Sequence, residues 1–197
     1  MKLTRLLTMA AVLLVCCSTC VVAQERWRRL PPQRDATFYA PRNKLEEFEA
    51  RQSAVLIKGR TWVATLRAQN GSARVEATEL REAGNSSRAT GVTITINSPD
   101  PGDVRCMVDY EEIDDLVKAF DAMAKADDST TKLTHFELHY RTRGDFEIIV
   151  FKQVSGGIAA AIEGGFFERT RVLLTLDDFT KLRWMIVQAK EKLDEIR

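Results

Sequence analysis

From Ala54 onward, apolar and polar positions alternate with a period of two, then fall at helical intervals, and then the same succession begins again. AVLIKG and TWVATLRA read as two strands broken at Gly59, Asn70-Gly71 as a hairpin turn, and SARVEATELRE as the return strand. In GVTITIN, Val92, Ile94 and Ile96 are expected to face a core while Thr93, Thr95 and Asn97 face water. Pro99-Asp100-Pro101-Gly102 turns the chain into the strand DVRCMV. Asp109, with Glu112 three residues on, then gives a capping box for a helix whose inner side carries Ile113, Leu116, Val117, Phe120 and Met123.

The second half follows the same plan. LTHFELHYRT alternates, Arg143-Gly144-Asp145 turns, DFEIIVFKQ returns, Gly156-Gly157 turns again, and IAAAIEG and RVLLT complete four strands. Thr175 and Asp178 cap a last helix lined inside by Phe179, Leu182, Ile186, Ala189, Leu193 and Ile196. RCMVDYEEIDDLVKAFDAM also lies over RVLLTLDDFTKLRWMIVQA at a constant offset, with Arg105 over Arg171, Val108 over Leu174, Ile113 over Phe179 and Leu116 over Leu182. These patterns predict an α+β domain over 43–197, built of two pseudo-repeated ββββα halves at about 54–126 and 132–197. In it, antiparallel sheets pack on two amphipathic helices. A short helix capped by Asn43 and reaching about Gln52 precedes them.

The beginning of the chain changes this picture by giving it an address. Lys2 and Arg5 precede an apolar run from Leu6 to Val15, and Val21-Val22-Ala23 offers small residues before Gln24, so 1–23 reads as a secretory signal peptide. A retained anchor competes with that reading, as does a lipoprotein at Cys16, Cys17 or Cys20, although the residues before those cysteines match a lipoprotein signal poorly. Residues 24–42 read as a linker because Pro31, Pro32 and Pro41 disfavour regular structure. The expected location is secreted or periplasmic, with no membrane span once the signal is removed. Cys106 is then the single remaining cysteine, which rules out an internal disulfide and suits a small buried side chain.

Hydrophobic residues make up 45% of the 197 positions and charged residues 29%, which is ordinary for a globular protein. Loss of Lys2 and Arg5 leaves a nearly neutral mature chain, without a general pull on polyanions. Arg26, Arg28, Arg29 and Arg34 around Trp27 form a local exception, read as a solvated leader.

Three runs, FEA-x-x-x-x-V-x-x-KG at Phe48 to Gly59, DYEEID at Asp109 to Asp114 and F-x-x-x-YRT-x-GDF-x-I at Phe136 to Ile148, resemble a family of uncharacterised exported bacterial proteins. That resemblance implies an exported globular shape and no particular activity. At the level of topology alone, two such halves are similar to the whirly fold of single-stranded nucleic-acid-binding proteins. The sequence shows no basic strand face and no run of stacking aromatics, so nucleic acid is not the expected partner.

Candidate chemistry is sparse. His135, Glu137 and His139 would share one face of a continuous strand, where two imidazoles and a carboxylate can hold zinc, copper or iron; the competing reading is a solvated polar face. Arg143-Gly144-Asp145 spells an adhesion tripeptide and equally a tight turn. Asn70-Gly71-Ser72 and Asn85-Ser86-Ser87 fit glycosylation sequons. Phosphate-cradling glycine loops, nucleophile elbows and zinc helices are lacking, and no cofactor is expected. The function that follows is a non-enzymatic binding or structural module contacting an envelope or extracellular protein or polymer, with metal binding as the alternative.

Overall fold

The computed structural model describes residues 40–99, 102–166 and 168–197, so the signal and anchor readings, most of the linker and the centre of the Pro99–Gly102 turn lie outside the described residues. Residues Pro41–Arg197 form one compact unit. Its elements run α1 (Lys44–Glu49), β1 (Leu56–Ala68), β2 (Gly71–Glu82), β3 (Arg88–Asn97), β4 (Val104–Asp109), α2 (Tyr110–Met123), β5 (Glu137–Arg141), β6 (Glu147–Lys152), β7 (Ile158–Gly164), β8 (Thr170–Leu174) and α3 (Leu176–Asp194). The fold is α+β, with two four-stranded antiparallel sheets ordered β1-β2-β3-β4 and β5-β6-β7-β8. Among the described residues no helix is long and apolar enough to cross a membrane.

One hydrophobic cluster draws on both sheets and both long helices. Val75, Val92, Ile94, Ile96 and Val108 join Ile148, Val150, Ile162 and Val172 around Ile113, Leu116, Phe120, Phe179, Leu182 and Ile186. The rings of Phe120 and Phe179 lie 4.5 Å apart, and Arg183 bridges to Asp121 and Lys190 to Asp114, which sets α2 and α3 antiparallel. Residues of α3 also contact β1, β2 and β3 of the first sheet. Each buried apolar side chain adds roughly 1.5–3 kcal/mol, so a core of this size stabilises the fold without a disulfide.

Four local expectations need correction. The first strand is not broken at Gly59: that residue pairs with Glu79 inside a continuous ladder, and the irregularity is a bulge between Trp62 and Ala64. The hairpin turns on Gln69-Asn70, because Gly71 already pairs with Ala68. Thr93 does not face water. It is 1% exposed and shares a 2.8 Å hydrogen bond with Thr78, since α1 covers that part of the outer face with Leu45 and Phe48 on Leu80, Ala89 and Met107. Gly91 permits the cover, as a Cβ there would stand 2.7 Å from Leu45 Cδ1. Finally Ile196, expected inside, is 47% exposed beyond the end of α3, and Met185 takes a core position instead.

Helix entry is handled differently at the three termini. Asn43 Oδ1 accepts from the Glu46 N–H at 2.9 Å, and Thr175 Oγ1 from the Asp178 N–H at 3.1 Å, as the sequence suggests. Asp109 is the N-cap of α2 yet makes no side-chain bond to that helix. Its carboxylate accepts instead from the Lys44 and Leu45 N–H groups of α1, at 2.9 and 3.1 Å, while Glu112 Oε1 accepts from the Arg143 N–H at 2.9 Å. The expected capping box is therefore replaced by two long-range ties, one to α1 and one to the β5–β6 turn.

Candidate functional site

The sequence places His135, Glu137 and His139 on one strand face, but the ladder admits only two of them. Pairing of β5 with β6 begins at Glu137 opposite Phe151, and His135 lies before the strand, exposed. His139 Nδ1 is 2.9 Å from Glu147 Oε1 and its Nε2 is 3.0 Å from Glu137 Oε2. Among the described residues no three His, Cys, Asp or Glu side chains converge as a group able to hold a metal.

His139 belongs instead to an ion network on the outer face of the second sheet. Glu147, 5% exposed, receives His139, Arg141 at 2.8 Å and Arg169. Arg169 also binds Glu163 at 2.8 Å and lies 3.6 Å from Asp145, whose other side faces Arg42 at 3.3 Å. The hydrogen bond to Glu147 raises the His139 pKa above its usual 6.5, against burial. Burial acts to raise Glu147, but its bonds to His139 and Arg141 and the guanidinium charges bring it below the usual carboxylate range. With guanidinium groups engaging Glu147, Glu163 and Asp145, the network ties the strands of the second sheet together.

Asp145 also settles the adhesion tripeptide. It is 7% exposed at φ 63°, and a Cβ on Gly144 would stand 1.7 Å from the Met107 carbonyl oxygen. Bonds from the Thr142 N–H to Phe146 O and from the Asp145 N–H to Thr142 O close the turn. An adhesion loop must present its carboxylate, and this one is inside the protein. Cys106 is likewise buried, with burial pushing its thiol up to about 12, which leaves it protonated and unreactive.

The outer face of the first sheet is different. Strand register puts Arg67, Ser72 and Asn97 in one row, Thr65, Arg74, Thr95 and Arg105 in the next, and Trp62, Glu76, Thr93 and Met107 in a third. Arg60 follows Trp62 on the same face, opposite Thr78. The bulge at Trp62/Ala64 re-aims the edge strand there, and Trp62 stands 63% exposed with its indole N–H 3.3 Å from Thr65 Oγ1. Here the ladder brings together arginines that the sequence reading did not group. Arg60, Arg67 and Arg74 are exposed and form no ion pair with any described residue, whereas each of the other described arginines from Arg42 to Arg183 has a carboxylate partner. Arg105 is one of the engaged ones, held by Glu49. Sequence reasoning missed the group because its members are dispersed along the chain; their alternation across the Gln69-Asn70 hairpin was the available signal.

Comparison with family models, with curated protein sequences and with solved structures finds no match.

Proposed function

We propose that the protein is an exported, non-enzymatic binding module, and that the part of the first sheet's outer face left open by α1 is its ligand surface, complementary to an anionic partner. The single observation carrying this reading is the set of three guanidinium groups, Arg60, Arg67 and Arg74, that form no ion pair with any described residue, beside exposed Trp62, whereas the other described arginines from Arg42 to Arg183 have carboxylate partners. Unpaired arginine on a rigid sheet is preorganised for carboxylate, sulfate or phosphate, since the planar fork donates two parallel bonds. Arg67 and Arg74 occupy adjacent rows on neighbouring strands and share one field, while Arg60 lies three steps of roughly 7 Å further along β1, past Trp62, and adds a second point of attachment.

The architecture supports a scaffold role. We read the two halves as copies of one sheet-then-helix unit: buried Ile113, Leu116, Phe120 and Met123 of α2 correspond in register to buried Phe179, Leu182, Ile186 and Ala189 of α3. Both long helices then serve the core and leave the part of the first sheet's outer face beyond α1 for recognition. Export rests on the leader pattern of residues 1–23.

Retention on a sulfated dextran matrix tests the binding surface. The native protein is expected to elute at clearly higher salt than a variant carrying Arg60→Ala, Arg67→Ala and Arg74→Ala, while Lys125→Ala with Lys132→Ala, on the exposed α2–β5 connection, leaves elution unchanged. Equal elution of the triple variant and the native protein would contradict the assignment.

A further inference from the structure

The same face carries more than charge, and what lies between the arginines narrows the ligand. We infer that its occupant is an acidic polysaccharide, a chain of sugar rings bearing anionic substituents; this rests on the anionic-ligand reading above. Thr65 stands between Arg67 and Trp62 along β1, and Thr95 and Asn97 of β3 flank Arg74 and Ser72 on the other side, short side chains whose hydroxyl and amide groups both donate and accept. Sugar hydroxyls need such partners. A chain of bare phosphates does not.

Trp62 supplies the second element. Its exposed indole is tethered to Thr65 along the strand, so an apolar plate stands beside the polar rows and matches the C–H face of a pyranose ring. Binding of single-stranded nucleic acid uses successive aromatics, one for each of several bases, and this face presents one tryptophan and no second ring in the three rows.

Glu76 decides between a polymer that offers hydroxyl groups and one that offers anionic oxygens alone. It sits between Trp62 and Thr93 in the same row, a carboxylate beside the arginines. A polyphosphate chain, without hydroxyl groups along its length, would bring only anionic oxygens to that carboxylate. A polysaccharide, with charges separated by hydroxyl-bearing carbons, can bring a hydroxyl to Glu76 and its anionic groups to Arg67 and Arg74. The arrangement is thus complementary to alternating hydroxyl and anion rather than to anion alone.

Titration of the full chain with polygalacturonate oligosaccharide, inorganic polyphosphate and single-stranded poly(dT), at matched charge concentration and fixed salt, tests the inference. Polygalacturonate is expected to bind tightest. Trp62→Ala should weaken it by about tenfold, as loss of one stacking aromatic does, with Trp62→Phe restoring most of the affinity and polyphosphate binding unchanged in both variants. Because Trp62 is exposed, neither variant is expected to alter the unfolding midpoint, which is recorded alongside. If all three polymers bind equally and Trp62→Ala changes none of them, the polysaccharide inference is overturned while the anionic face stands. Preference for poly(dT) would overturn it in favour of nucleic acid. Binding of none of the three would overturn both readings.

Discussion

Asp109 stands at the start of α2 but its carboxylate closes α1, accepting from the Leu45 N–H at 3.1 Å and from the Lys44 N–H at 2.9 Å. Those two donors are first-turn groups of a six-residue helix that lies on the outer face of the first sheet. Asn43 adds a 2.7 Å bond from Nδ2 to the Met107 carbonyl, so one end of α1 is stitched to β4. This stitching also fixes how far α1 extends over the sheet, and hence how much of the cationic face stays open.

Replacing Asp109 by Ala is therefore expected to destabilise the fold by about 2 kcal/mol, the usual loss for a cap whose donors are left buried. The loss should appear as exposure of Leu45 and Phe48, read by faster hydrogen exchange at α1 with α2 unaffected. Faster exchange confined to the first turn of α2 would show that Asp109 serves its own helix after all.

Gly144 makes the tightest backbone approach in the turn after β5. Gly144→Ala would drive a methyl group into the Met107 carbonyl, and the expected destabilisation is about 3 kcal/mol or more, measured by urea unfolding. Cell-adhesion assays with the native protein should show no tripeptide-dependent attachment, because Asp145 is held inside by Arg42 and Arg169.

His139 gives stability a pH profile of known sign. Its folded pKa lies above 6.5 because of its bond to Glu147, so its contribution is complete below that value and is lost as pH rises through the folded pKa. Glu147 works from the other side: its folded pKa is depressed, and its contribution fades as pH falls through that lowered value. Urea unfolding across pH should show a stability maximum between the two limits, and His139→Gln should flatten the alkaline limb. An unchanged alkaline limb in that variant would remove His139 from the network's energetics.

Cys106, 1% exposed and with its thiol pushed up to about 12, is expected to resist iodoacetamide at pH 8 in the native protein and to react fully after unfolding. Mass analysis of the Cys106 peptide separates it from the leader cysteines. Native-state labelling at the rate of a free thiol would contradict its burial.

Periodicity in the sequence was enough to locate the eight strands' neighbourhoods and both long helices, because Val92, Ile94 and Ile96, or Phe179, Leu182 and Ile186, mark their faces by spacing alone. What it could not convey were relationships decided in three dimensions. Asp109 and Glu112 have the spacing of a capping box, and only the arrival of Lys44 and Arg143 diverts their carboxylates. Asn70 reads as a turn residue and a sequon, but its carboxamide binds the edge of β8, accepting from the Leu173 N–H at 2.8 Å and donating to the Arg171 carbonyl at 3.2 Å. Likewise, His135 and His139 alternate correctly on paper while the ladder ends between them. The cationic face depended on the same kind of information: whether a given arginine finds a carboxylate is a matter of neighbours, not of spacing.

Chemical-shift mapping of backbone amides during titration with polygalacturonate oligosaccharide tests the central claim most directly. The account predicts perturbations along Arg60 to Arg67, Ser72 to Glu76 and Thr95 to Asn97, with the outer face of β5 to β8 silent. Shifts that cluster on that second sheet, or around His139 and Arg169, would place the binding surface elsewhere and contradict it.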